Sequence, residues 1–378
     1  TDSFVIRAGY GIFYNMIVSA NGLSAMYRGL PFRRAETFIN TTTNIIATWA
    51  NPFPANVSGG GLNPQGINAD FRDAYMQQWN LNLQREFFGA WLATAAYVGS
   101  KGTRLFNALQ ANPAVYRPGA TTGNTDARRL YAPNFASVSL QASNANSTYH
   151  SMQLSLNRRF TQGFTLLAAY TWSKTIDDAS GDGGASPNPF DQKFNRGLSD
   201  LDIPHRFVAS FVYELPRLSG ASPVLKWTVG GWDLNGIISL QSGSPFTVVS
   251  GRDNSFSGVN SDRADLIGNP YLPTDRPRGE LVNRYFNTDA FTFNAVGTFG
   301  TAGRNIMRGP GDVFVDLGIF KNFALFEGHR IQFRVETFNA FNRVNLGNPN
   351  ANRNAAAFGR ITSAGSPRVL QMALKYQF

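Results

Sequence analysis

The chain is 378 residues long, has no cysteine, is 15% charged and 43% hydrophobic, holds 31 Phe and 37 Gly, and carries a net charge of +10. Without cysteine there is no disulfide framework, thiolate metal site or thiol nucleophile, and a charged fraction well under the roughly 25% of soluble chains, beside so many aromatics, suits a lipid-facing sheet. The 34 Lys and Arg are scattered, with pairs such as Arg33-Arg34, Arg128-Arg129 and Arg158-Arg159 in separate segments, so the charge points to anionic headgroups or an anion-attracting lumen and not to nucleic acid.

Ten segments alternate apolar and polar residues with the period of two that a strand imposes. Each is close to the roughly 9 to 11 residues that cross a bilayer when tilted. The first is Val5 to Tyr14. In the second, Gln77 to Phe87, Trp79, Leu81, Leu83 and Phe87 share one side, and Gln78, Asn80, Asn82, Gln84 and Glu86 the other. Trp91 to Ser100 follows. Tyr149 to Phe160 sets Met152, Leu154, Leu156 and Phe160 against Ser151, Gln153, Ser155, Asn157 and Arg159, and it forms a hairpin with Phe164 to Ser173. Arg206 to Leu215 places Phe207, Ala209, Phe211 and Tyr213 outward, and Gly231 to Gln241 does the same with Trp232, Leu234, Ile238 and Leu240. Asp312 to Phe323 and Arg330 to Phe341 are the eighth and ninth.

The tenth, Arg368 to Phe378, closes the chain as L-Q-M-A-L-K-Y-Q-F. Leu370, Met372, Leu374, Tyr376 and the terminal Phe378 fall on one face; Gln371, Ala373, Lys375 and Gln377 fall on the other. Closing strands of bacterial outer-membrane barrels end on such an aromatic at the water interface. These five apolar residues are the expected barrel-insertion signal, with the barrel assembly machinery as the partner that acts on it.

Connections alternate in length. Residues around Gly89, Thr161-Gln162-Gly163 and Leu325-Phe326-Glu327-Gly328-His329 make short turns, and Pro216 to Gly230 is the least short of that class. Asn15 to Met76, Lys101 to Thr148, Lys174 to His205, Ser242 to Gly311 and Asn342 to Pro367 are long. Short periplasmic turns and long extracellular loops give a barrel this pattern, with odd strands running outward and even strands inward. The expected fold is therefore all-β, an antiparallel transmembrane β-barrel in the bacterial outer membrane. Hydrocarbon offers backbone groups no partner, so such a sheet has to close. No apolar run approaches the roughly 18 residues of a spanning helix, and the amino terminus shows no signal peptide. The chain reads as a fragment whose export signal lies upstream.

Three segments and the terminus carry a family resemblance. A-Y-T-W-S-K-T-I-D-D-A-S at Ala169 to Ser180, F-N-R-G-L-S-D-L-D-I-P-H-R-F at Phe194 to Phe207, F-R-V-E-T-F-N-A-F-N-R-V-N-L-G-N-P-N at Phe333 to Asn350, and the final L-K-Y-Q-F resemble the carboxy-terminal barrel of TonB-dependent receptors of the Oar-like group. The resemblance implies a barrel of about 22 strands around an amino-terminal plug, with uptake of a bulky solute energised by TonB. On that reading residues 1–378 are the C-terminal part of the barrel domain, an open half barrel if taken alone. The plug, the TonB contact and the remaining strands then belong to the same polypeptide upstream of Thr1. A self-contained ten-stranded outer-membrane enzyme or adhesin, closed between its first and last strands, is the alternative; a soluble all-β binding protein is a third reading.

Residues able to carry chemistry are few. Ser199, Asp200, Asp202 and His205 have the types of a hydrolase site, against the plainer reading of a loop end shaped by Asp and Pro. His150 and His329 lack a second His or a carboxylate pair at ligand spacing, so no metal site is expected there. Asp177, Asp178, Asp182, Asp191, Asp200 and Asp202 share one loop, where calcium binding is weighed against a solvated loop. Gly59-Gly60-Gly61 and the glycines at 297, 300 and 303 read as loop punctuation. No cofactor and no catalytic residue is expected.

Charged residues on the polar faces of strands are the main candidates: Arg7, Arg159, Arg206, Glu214, Asp233, Asp316, Arg334, Glu336 and Lys375. Turned to lipid at mid-depth, Arg and Lys would cost about 2–4 kcal/mol each and Asp and Glu somewhat less, so all nine are expected to face the lumen, touching plug or solute or satisfying one another. The loop aromatics Trp49, Phe53, Tyr116, Phe190, Phe256, Tyr271 and Tyr285 are candidates for capture or for loop packing.

Overall fold

A computed structural model describes residues 4–15, 45, 47–52, 62–181, 185–216, 220, 222–259, 262–326 and 328–378. Ten long strands pair in chain order into one antiparallel meander: β1 (Phe4–Asn15), β2 (Ala74–Phe87), β3 (Trp91–Gln110), β4 (Ser139–Thr161), β5 (Phe164–Asp177), β6 (His205–Glu214), β7 (Trp232–Gln241), β8 (Asp312–Ala324), β9 (Arg330–Phe338) and β10 (Val369–Gln377). Every one of the ten expected segments is a strand. The sheet path begins at β1 and ends at β10, and among the described residues no pairing joins these two. Short strands add to its rim: Gln65–Ile67 runs parallel to Ser139–Gln141, and Gly197–Leu198 pairs with the end of β5.

Register sorts the side chains into two faces. One row of cross-strand partners reads Ile6, Leu83, Ala95, Leu154, Tyr170, Phe207, Leu240 and Val313 across eight strands. The next row reads Arg7, Asn82, Ala96, Gln153, Thr171, Arg206, Gln241 and Asp312. Because the side-chain period is two, a slip of one residue would exchange these rows. Among the described residues the apolar row packs on no protein core. Leu154 is 40% and Leu374 71% exposed, while Phe211 and Leu234 are half-buried by strand neighbours.

Aromatics frame the apolar face at both ends. Tyr10 pairs with Trp79 near the long-connection end, where Tyr97 and Trp172 also lie. At the short-turn end Phe87 stacks on Trp91 at 6.4 Å, and Phe164 meets Tyr213 edge-on at 5.9 Å. Eight residues separate Trp172 from Phe164, about 26 Å along a strand and about 20 Å after a tilt near 40°. With the ring widths added, that matches the roughly 25 Å apolar band of an outer-membrane wall.

The turns follow local chemistry. Gln162 (φ 53) and Gly163 (φ 76) link Thr161 to Phe164 with two left-handed residues, the arrangement whose twist suits a hairpin. A Cβ on Gly163 would also meet the Glu214 carbonyl oxygen at 2.8 Å. The connection between β6 and β7 contains a short helix, Pro223–Thr228. The ninth strand stops at Phe338 and not at Phe341, because Asn339 turns left-handed (φ 52) and donates its N–H to Asp316 Oδ1 at 2.8 Å.

Strands β3 and β4 are longer than alternation indicated, at 20 and 23 residues. Their outer halves stay paired past register shifts at Gly102, Leu105 and Asn107. Its apolar residues, such as Leu105, Phe106 and Leu109 on β3, do not alternate, since it stands beyond the apolar band.

The main buried apolar cluster lies outside the sheet. Phe246, Val248, Ala264, Phe286, Ala290, Phe291, Ala302 and Met307, all from the connection between β7 and β8, form one buried cluster. Phe358, from the connection between β9 and β10, meets Phe286 edge-on at 5.2 Å. The described residues of these two connections thus form a layer with its own core at one end of the wall.

Candidate functional site: the polar face and the loop layer

All nine charged candidates share one face of the sheet by register. Arg7 lies opposite Asn82, Arg206 opposite Gln241, Glu214 opposite Asp233, Arg334 opposite Phe320, and Glu336 between Gly318 and Gln371. Arg159, Asp316 and Lys375 have the same parity on β4, β8 and β10. Each is exposed or half-buried.

Side chains on this face link across strands. Arg7 Nη1 donates to Gln84 Oε1 at 2.5 Å, and Arg159 pairs with Glu86 at 3.2 Å. A longer chain runs over β7, β8 and β9. Asn322 donates to Asp233 at 3.0 Å, Gln332 donates to Asn322 at 2.9 Å, and Arg334 Nε donates to Gln332 at 2.5 Å while its guanidinium covers the Phe320 ring. Asp316 caps Asn339, as described, and so fixes the end of β9.

Cations also sit on the opposite, apolar face: Arg85, which pairs with Phe4 and Ala93, Arg158, which covers the Trp91 and Phe164 rings at 5.5 and 4.9 Å, and Lys321. Lys321 pairs with Trp232 and Phe333, is covered by the Trp232 and Phe323 rings at 5.3 and 5.5 Å, and donates from Nζ to the Gly230 carbonyl. Its stem lies along apolar surface while its head finds a carbonyl at the short-turn rim.

The three histidines share one arrangement. Each bonds through Nδ1 to a tyrosine hydroxyl on a neighbouring strand: His150 to Tyr97 at 2.7 Å, His205 to Tyr170 at 2.8 Å and His329 to Tyr376 at 2.5 Å. His150 lies inside β4, which starts at Ser139. His329 also stacks with Phe378 at 6.5 Å, within the terminal aromatic group of Leu370, Met372, Leu374, Tyr376 and Phe378 on the apolar face.

The acidic loop after β5 is neutralised by arginines. Buried Arg304 contacts Asp177 at 2.5 Å and Asp200 at 3.3 Å, Arg308 contacts Asp202 at 2.6 Å, and Arg196 contacts Asp178 at 3.2 Å. Asp191 caps the turn at Lys193; Asp182 lies outside the described residues. Asp202 also accepts from the Thr175 N–H, and Ser199 Oγ meets Ser180 Oγ at 3.0 Å, so neither turns to His205. Among the described residues no group of three or more His, Cys, Asp or Glu could hold a metal ion.

Arg263 inserts between loops, covering the Phe194 ring at 4.4 Å and donating to Asn195 at 2.7 Å. Burial, and then the neighbouring Arg304, lowers its pKa to about 10. Burial raises the Asp262 carboxyl above the usual carboxylate range and raises the Tyr285 phenol, whose hydroxyl donates to the Arg308 carbonyl at 3.1 Å.

Loop aromatics divide between packing and exposure. Tyr116 stacks on Phe256 at 6.4 Å, and Tyr285 borders the buried cluster. Trp49, Phe190 and Tyr271 stand exposed, although the Tyr271 hydroxyl donates to the Ile306 carbonyl. Phe53 and Gly59-Gly60-Gly61 lie outside the described residues.

Residues 1–371 match the family described as outer membrane beta-barrel domain. The outer membrane transporter YddB from Escherichia coli has a similar structure, with TM-score 0.53 and 9% identity over 98% of this chain. The chain spans 38% of that transporter's length. The ferric-catecholate import receptor Fiu from E. coli aligns at TM-score 0.44 and 10% identity, over 99% of this chain and 33% of its own. Pyoverdine-bound FpvA from P. aeruginosa aligns at 0.44 and 10%, over 98% and 30%. No curated protein sequence matches. Family and fold together place the chain in the bacterial outer membrane, spanned by strands.

Proposed function

The chain belongs to the outer membrane beta-barrel domain family, and we propose that it supplies wall and extracellular loops to a TonB-energised receptor for a bulky solute. The plug and the remaining strands would come from the same polypeptide, and the receptor would be of the Oar-like group that the Phe194 to Phe207 and Phe333 to Asn350 segments resemble. Residues 1–378 are then the C-terminal part of the barrel domain.

The observation that carries this reading is the pairing of rows. Arg334, at the middle of β9, lies on one face while its neighbours Phe333 and Val335 lie on the other, and Arg7 and Ile6 on β1 divide likewise. Charges at mid-depth are tolerated where water fills the interior and are costly against lipid. We assign Arg7, Arg159, Arg206, Glu214, Asp233, Asp316, Arg334, Glu336 and Lys375 to the lumen, where they would meet plug or solute. The apolar face with its two aromatic rims meets lipid, and the terminal aromatic group serves assembly.

The sheet's two ends favour this reading over a self-contained barrel, since β1 and β10 are its edges. A strand edge in hydrocarbon leaves backbone groups without partners, so further strands must cover them. Reading the gene upstream of Thr1 tests the proposal. A plug-length segment followed by about a dozen further strand patterns supports it, given the roughly 22 strands of such transporters. A stop codon with a signal peptide directly ahead of Thr1 overturns it.

A further inference from the structure

In the connection between β7 and β8, Asp253, Ser255 and Ser257 alternate, Gly258 follows, and Asp262 comes shortly after. Gly258 is left-handed (φ 76) and donates its N–H to Asp253 Oδ2 at 3.2 Å. Ser255 Oγ lies 3.0 Å from both Asp253 Oδ1 and Ser257 Oγ. Asp262 Oδ2 accepts from the Ser255 N–H at 2.6 Å and from Asn294 at 3.0 Å. Oxygen donors at the first, third and fifth positions with glycine at the sixth are the opening of a calcium-binding loop. The carboxylate such loops place at the twelfth position is absent here, where Ala264 stands; Asp262 and Asn294 supply oxygens instead.

A second observation is independent of the loop's shape. Asp262 Oδ1, Asn294 Oδ1 and Ser250 Oγ are buried and have no hydrogen-bond partner. Their residues are 1%, 2% and 0% exposed. Ser250 is the backbone neighbour of Asp262, since its N–H donates to the Asp262 main-chain carbonyl at 2.9 Å. A carboxylate oxygen buried without a partner is costly. Among the described residues neither Asp253 nor Asp262 is in an ion pair. Arg128, whose charge Asp253 feels, spends its guanidinium on Asn124, Val115 and Thr121.

We propose that Asp253, Ser255, Ser257, Asp262 and Asn294 form a binding site for a divalent cation, calcium in preference to magnesium. Mixed carboxylate, hydroxyl and amide oxygens from two chain segments suit the larger ion's flexible coordination better than magnesium's strict octahedron. The ion would also join two loops, because Ser257 O accepts from Ala114 N–H at 3.0 Å and Phe256 stacks on Tyr116. This inference does not depend on what the barrel transports.

The test is calorimetric titration of CaCl2 into the folded, chelator-stripped protein in detergent. One saturable site is expected, with a dissociation constant on the order of 0.1–1 mM as in extracellular modules, and weaker binding of MgCl2. Asp253→Asn and Asp262→Asn should each weaken calcium binding about tenfold or more, as the loss of one ligand charge tunes such sites, while unboiled gel mobility reports that the barrel is intact. Should Asp262→Asn fail to fold, Asp253→Asn decides, since Asp253 is only half-buried. No saturable calcium binding by the native protein, or binding unchanged in Asp253→Asn, overturns the proposal.

Discussion

Arg304 Nη1 lies 2.5 Å from Asp177 Oδ1 with both side chains buried, which fastens the connection between β7 and β8 to the end of β5. Removing one partner leaves the other buried and uncompensated, at a cost of about 3–5 kcal/mol. Arg304→Met should therefore loosen the loop layer, seen as faster protease cutting within residues 178–204 and 242–311 with the strands still protected. The double variant Arg304→Met/Asp177→Leu should recover part of the loss; equal cutting in single and double variants would contradict this role.

Gly99 faces the Trp79 indole so closely that a Cβ would lie 2.4 Å from its ring. Gly99→Val should displace Trp79 from the rim and cost roughly 1–3 kcal/mol by overpacking. A lower urea midpoint for folding into vesicles, with a red-shifted tryptophan emission, is the expected result.

Leu154 and Gln153 are neighbours in sequence on opposite faces of β4. Leu154→Arg should destabilise the folded wall by about 2–4 kcal/mol, whereas Gln153→Arg should cost under about 1 kcal/mol. Urea titration in vesicles compares them, and equal costs would mean that the two faces share one environment.

His329, Tyr376 and Phe378 form a stacked group at the short-turn rim, with rings 5.7 to 6.5 Å apart. Deleting Phe378 removes the outermost ring from the interface that aromatics prefer. The amount of heat-modifiable protein in outer-membrane fractions should fall, and Phe378→Tyr should restore it.

Much of the wall was legible because lipid and water on opposite faces enforce alternation, as Ser151 to Asn157 shows. The outer halves of β3 and β4 were not legible, since Ser139 to Thr148 stands beyond the apolar band and needs no such pattern. The loop layer was also hidden. Arg304 and Arg308 meet Asp177, Asp200 and Asp202 across more than a hundred residues, a separation that spacing in sequence cannot express. The alternation of Asp253, Ser255, Ser257 and Gly258 was a readable signal that acidic clustering elsewhere overshadowed. Lys321 was obscured by the same rule that revealed the strands, because it breaks the apolar face beside Trp232.

The native chain has no cysteine, so single cysteines report without background. The most direct measurement places them at Gln153, Leu154, Ser210, Phe211, Asn235, Leu234, Lys375 and Leu374 in cells and compares a water-soluble maleimide with a lipid-dissolved quencher of an attached fluorophore. The account predicts maleimide labelling at 153, 210, 235 and 375 and lipid quenching at 154, 211, 234 and 374. Labelling of both sets alike, or quenching of the first set, would contradict it.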